Sequence, residues 1–163
     1  MRDFFRNGGS TAVVVRAAPD PGAPALLAAL AALDHVDLFN LLVLAADAGD
    51  GSVERSAVAA ADQLCLAHRA VQLLDAPAAW SVDDVVAAVG DFMPTLGVHA
   101  SAKAALNYPR LRQPDPLRDG EWRVVPASGA VAGLIAASDL AHGPGLIFPT
   151  DRSWLTSWLW DDD

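Results

Sequence analysis

Short apolar runs alternate with longer Ala- and Leu-rich stretches along this chain, and turn-forming residues separate them. Ala12-Val13-Val14-Val15 is a continuous apolar run, three of its four residues β-branched, behind the turn-like Asn7-Gly8-Gly9-Ser10. Such a run predicts a strand buried on both faces. Pro19, Pro21 and Gly22 interrupt the chain, and residues 25–33, rich in Ala and Leu, predict a helix. Asn40-Leu41-Leu42-Val43-Leu44 predicts a second strand that runs into the acidic loop Asp47-Ala48-Gly49-Asp50-Gly51-Ser52. Ser52 is placed to cap a long helix over 53–70. Its apolar positions Val58, Ala61, Leu64, Cys65 and His68 recur at three- and four-residue spacing.

Ala70-Val71-Gln72-Leu73-Leu74-Asp75 predicts a third strand, stopped by Pro77. Ser81 is placed to cap a helix over 82–92, with Asp83 and Asp84 favourably set in its first turn. Residues 103–108 predict a fourth strand, stopped by Pro109. The Pro- and charge-rich stretch 110–126 connects onward, with room for an edge hairpin. Residues 128–141 predict a helix of small residues. Its Gly129, Ala132, Gly133 and Ala136 would let the backbone of a sheet or another helix approach closely.

This alternation predicts an α/β domain over residues 1–143, a three-layer arrangement with a mainly parallel central sheet and helices on both faces. Residues 144–163 differ in character and form a separate tail. There Trp154, Leu155, Trp158, Leu159 and Trp160 crowd together before Asp161-Asp162-Asp163. The tail either covers an apolar edge of its own domain or docks on a partner, since clustered aromatics favour interfaces.

Composition narrows the function classes. At 163 residues and 53% hydrophobic, the chain can bury a sizeable core, and wholesale disorder is excluded. Eleven basic against twenty acidic residues give a net charge of −9, which argues against nucleic acid and anionic membranes as partners. The single Cys65 excludes a disulfide framework and a cysteine zinc cage. No signal peptide and no run long enough to span a bilayer is visible. The expectation is a soluble protein, cytoplasmic or assembled into a particle.

Candidate chemistry is sparse. In open α/β sheets, ligands bind beyond the carboxyl ends of the strands. Asp47, Asp50 and Asp75 fall there and could hold Mg²⁺ for a hydrolase, or could cap turns and loops as Asp commonly does. No G-x-G-x-x-G follows the first strand and no P-loop exists, so no nucleotide cofactor is expected. Cys65 and His68, three apart on one helix, read as a core pair. Ser128 lacks a nucleophile elbow and reads as a helix N-cap. His35, His99 and His142 have no zinc spacing. Lys103, Arg110, Arg112, Arg118 and Arg123 are five of the eleven basic residues. They form either a solvated loop or a contact surface for an acidic partner. Arg110, Arg112, Arg118, Arg123, Trp154, Trp158 and Trp160 are therefore the candidate protein-interface residues.

Several segments, taken together, resemble the tail sheath proteins of contractile phages and contractile injection systems. Asp3-Phe4-Phe5-Arg6-Asn7-Gly8-Gly9 followed by Ala12-Val13-Val14-Val15-Arg16 is similar to the family's turn and first strand. Leu33-Asp34-His35-Val36-Asp37-Leu38-Phe39-Asn40-Leu41-Leu42 is similar to its next strand entry, and Leu74-Asp75-Ala76-Pro77 to a strand end. The most specific run is Ala104-Ala105-Leu106-Asn107-Tyr108-Pro109-Arg110-Leu111, then Asp115-Pro116, then Val125-Pro126-Ala127-Ser128-Gly129-Ala130-Val131-Ala132-Gly133. The order and spacing agree over about residues 4–143.

The resemblance implies a subtilisin-like α/β sheath domain that is structural and carries no catalytic triad. It implies contacts with sheath, tube or baseplate proteins, and subunits that stack around an inner tube. Against the family pattern, the N-terminal arm and the C-terminal region are expected to be missing. The tail 144–163 diverges, and Asn107 stands where the family tends to have an aromatic residue.

Overall fold

A computed structural model describes residues 1–17, 23–45, 53–84, 104–115 and 117–143. The elements in chain order are α1 (Arg2–Arg6), α2 (Ala23–Leu33), β1 (Leu41–Val43), α3 (Arg55–His68) and β2 (Val71–Asp75). They continue with β3 (Ala104–Asn107), β4 (Leu111–Pro114), β5 (Trp122–Val125) and α4 (Ser128–His142). The fold is mixed α/β, with a three-stranded parallel sheet in the order β1-β2-β3 and a separate antiparallel pair, β4-β5. The chain divides into two compact units, Ala12–Gly129 and a second made of Met1–Thr11 with Ala130–Asp163.

In the first unit, the register places Leu42, Gln72 and Ala104 side by side, and Leu74 beside Leu106. Residues two apart on a strand share a face, so these side chains line one side of the sheet. Helix α3 packs there. Its Ala61 and Cys65 join Leu30 of α2, Leu42 of β1 and Ala70 in one buried cluster, and its Val58 meets Leu74 in another. The three-to-four spacing that predicted α3 is therefore the spacing of its buried stripe, Ala57, Val58, Ala61, Asp62 and Cys65. Gln72 is fully buried on this face, and its amide donates to the Val58 carbonyl at 3.4 Å. At the end of α3, Arg69 takes a left-handed conformation (φ 57°), and the Ala70 N–H returns to the Cys65 carbonyl at 2.9 Å. That cap turns the chain directly from helix into β2.

Two expectations need correction. The strand over Ala12-Val13-Val14-Val15 does not form: the segment is unpaired, and Val13 and Val14 are 56% and 59% exposed. Strand propensity measures fit to a pleated, half-buried surface, and no described strand supplies that surface here. The N-cap of α3 is Glu54, without a side-chain cap bond, rather than Ser52, which lies outside the described residues. Residues 2–6, to which the sequence pattern assigns no element, form the short helix α1.

The cap at Ser81 does form. Its hydroxyl lies 2.6 Å from the Asp84 carboxylate and 3.3 Å from the Asp84 N–H, while the Ser81 N–H donates to the same carboxylate at 3.0 Å. This is the reciprocal capping box, with Asp in the place of Glu. The two Ser81 bonds hold the Asp84 carboxyl below its ordinary value. A depressed carboxyl stabilises the fold above its unfolded value, and the contribution is lost as pH falls through the lowered one. An NMR titration should find the Asp84 midpoint below that of an exposed Asp. Ser81→Ala should return it upward, and an unchanged midpoint would remove the box as its cause. The rest of the helix expected over 82–92 lies outside the described residues beyond 84.

The second unit is built on close backbone contact. Helix α1 ends in Asn7, whose amide side chain donates to the Asp3 carbonyl at 2.7 Å, and the Gly9 N–H returns to the Phe4 carbonyl at 3.0 Å. Gly8 has φ +103°, a region that disfavours side chains, and a Cβ there would stand 2.6 Å from the Ala137 Cβ. A Cβ at Gly133 would run into the Phe4 carbonyl oxygen. The small-residue face of α4 thus accepts helix α1 at Phe4, as expected of a helix partner, and with it the turn at Asn7-Gly8-Gly9.

Candidate functional site

The carboxyl ends of β2 and β3 are where a ligand would sit in an open parallel sheet. Asp75, the last residue of β2, accepts hydrogen bonds at Oδ1 from the N–H groups of Ala127 (2.8 Å) and Ser128 (2.9 Å). Those N–H groups open helix α4, whose first turn offers unpaired donors and a partial positive charge. Ser128 is expected as the N-cap. Instead it is the first residue of the helix, buried, and the capping carboxylate comes from Asp75.

The neighbouring strand end is tied in the same way. The Asn107 amide donates to the Leu74 carbonyl at 3.0 Å, and the Asn107 carbonyl accepts from the Ala76 N–H at 3.0 Å. After the cis Tyr108–Pro109 bond, the Arg110 guanidinium donates Nε and Nη2 to the Ala76 carbonyl, at 3.2 and 3.1 Å. A planar fork on one acceptor fixes direction as well as distance. A Phe side chain at 107 has no donor and could not make the bond to Leu74.

The expected edge hairpin is β4-β5, with Arg112 opposite Val124 and Pro114 opposite Trp122. Asp115 fixes its turn. Its Oδ1 accepts from the Leu117 N–H at 3.0 Å, its backbone N–H donates to the Glu121 carbonyl at 2.7 Å, and its Oδ2 meets Arg123 at 3.6 Å. The Arg112 guanidinium lies 5.4 Å from the Trp122 ring centroid, a cation–π arrangement. Arg118 is exposed in the turn. The four candidate arginines therefore separate into roles: Arg110 is a strand-end clamp, Arg123 an ion-pair partner, and Arg112 and Arg118 face outward. Trp154, Trp158 and Trp160 lie outside the described residues, as do Asp47 and Asp50. Sequence reading did not single out Trp122 and Val124, 62% and 64% exposed. Their alternation across from Arg112 and Pro114 is the signal that marks them.

Cys65 is fully buried in the α3 core, while His68 is only partly buried. The His68 ring stacks on Phe39 with centroids 4.8 Å apart, and its Nε2 lies 3.1 Å from Asp34. The His142 ring lies 3.3 Å from the Ser138 carbonyl. Among the described residues, no group of three or more His, Cys, Asp or Glu side chains could hold a metal ion. No described helix is long and apolar enough to cross a membrane. Compared with family models and with curated proteins, the chain matches none.

Proposed function

We propose that this chain is a non-enzymatic structural protein, a tail-sheath-like component or accessory of a contractile phage tail or injection system. It acts through contacts with sheath, tube or baseplate proteins, or with its own copies. The three-layer sheath domain, with helices on both faces of the sheet, is part of the same reading.

One observation carries the proposal. The polar residues of the sheath-like segments are engaged with other parts of those segments. Asp75 of the Leu-Asp-Ala-Pro stretch holds Ala127 and Ser128 of the last motif. Asn107 and Arg110 of the most specific stretch hold Leu74 and Ala76. Asn7 and Gly9 of the first motif close onto Asp3 and Phe4. Residues that join segments to one another suit a rigid body used for assembly. The competing reading is a Mg²⁺-dependent hydrolase using Asp47, Asp50 and Asp75. It has less support, because Asp75 already directs one carboxylate oxygen at two backbone donors.

The test is affinity capture of the tagged chain from its native lysate, with mass spectrometry of what binds. Enrichment of sheath, tube or baseplate proteins is expected. A lysate that demonstrably contains contractile particles and yields none of them would refute the proposal.

A further inference from the structure

The β4-β5 hairpin presents an outward face made of Arg112, Pro114, Trp122 and Val124, all exposed. We infer that this face docks residues 154–163 of a second copy of the chain. The argument is charge and surface complementarity within one sequence. The face holds one cation and no carboxylate, because the nearby Asp115 is turned into its own bonds with Leu117 and Arg123. Arg112 is poised for a carboxylate. Its guanidinium carbon lies 5.4 Å from the Trp122 ring centroid, the side chain is exposed, and a guanidinium binds carboxylates through a planar fork of N–H donors.

Beside it, the exposed Trp122 and Val124 form an apolar patch on a chain that otherwise carries a net charge of −9. Residues 154–163 supply the matching chemistry: Trp154, Leu155, Trp158, Leu159 and Trp160, then three consecutive Asp, with no Lys or Arg among them. A segment so acidic is repelled by most of this protein's surface and is best received where a stacked arginine meets exposed apolar side chains. Trp and Arg are also the side chains that most often dominate binding energy at interfaces. This inference concerns self-association and stands apart from the identity of any particle.

Sedimentation velocity of the full chain over a wide concentration range tests it. Reversible, salt-sensitive association is expected. Arg112→Glu and Trp122→Ala should each weaken it about tenfold or more. Circular dichroism and urea midpoints check that both variants remain folded. Mixing the Arg112→Glu chain with one carrying Asp161→Lys and Asp162→Lys should restore association that each lacks alone. A chain that stays monomeric throughout, association indifferent to both hairpin variants, or no rescue on mixing would each overturn the inference.

Discussion

Asp75→Ala is expected to lower stability by about 2 kcal/mol, since it removes a capping carboxylate and two charge-assisted bonds to backbone N–H groups. For a chain of this size that is a fall of roughly 4–8 °C in Tm. Asp75→Asn keeps an acceptor oxygen but loses the charge, so about half the effect should remain. The physical reason is the position of Ala127 and Ser128. Their N–H groups point out of the first turn of α4, and no earlier turn of helix can receive them. The sign separates the two readings of this residue. In a metal site without its ion, carboxylates repel one another, and removing one is neutral or stabilising. A chemical-denaturation midpoint that rises for Asp75→Ala would therefore overturn the capping role and return Asp75 to the acidic cluster.

Much of the fold is legible in local pattern because its elements are local. The apolar stripe of α3, the continuous run Val71-Gln72-Leu73-Leu74 in β2 and the Pro-bounded β3 each declare themselves within one element. The first apolar run shows the limit. Ala12-Val13-Val14-Val15 has the composition of a buried strand, yet burial belongs to the neighbour that covers it, and residues 12–15 carry no information about that neighbour. The site has the same limit on a longer scale. Asp75 is recognisable as a residue at a strand end, but its partners lie 52 and 53 residues further along. Type and spacing could therefore mark Asp75 equally well as a metal ligand or a cap. Arg110 is similar: its charge suggested an outward contact, while its fork closes on Ala76, 34 residues away. Arg112 escapes this ambiguity only when the pairing register sets it across from Val124 and beside Trp122.

Gly133→Ala should destabilise the protein, although helix propensity alone predicts the reverse. In the interior of an exposed helix, replacing Gly by Ala gains about 1 kcal/mol. At Gly133 the new Cβ would collide with the Phe4 carbonyl oxygen, and it would stand 2.9 Å from the Asn7 Cβ and 3.1 Å from the Phe4 carbonyl carbon. Two of those three atoms are backbone, so no side-chain rotation relieves the contact. The Phe4 carbonyl is also fixed from the other side, because it accepts the N–H groups of Asn7 (3.2 Å) and Gly9 (3.0 Å). Moving it disturbs the turn whose Gly8 already packs against Ala137. Overpacking of this kind costs about 1–3 kcal/mol, enough to offset the propensity gain and leave a net loss of up to about 2 kcal/mol. Urea unfolding reads the sign directly. Hydrogen exchange adds location: the Asn7 and Gly9 amides should lose protection before the amides of β2 do. A higher unfolding midpoint for Gly133→Ala would mean that α1 and its turn do not rest on α4.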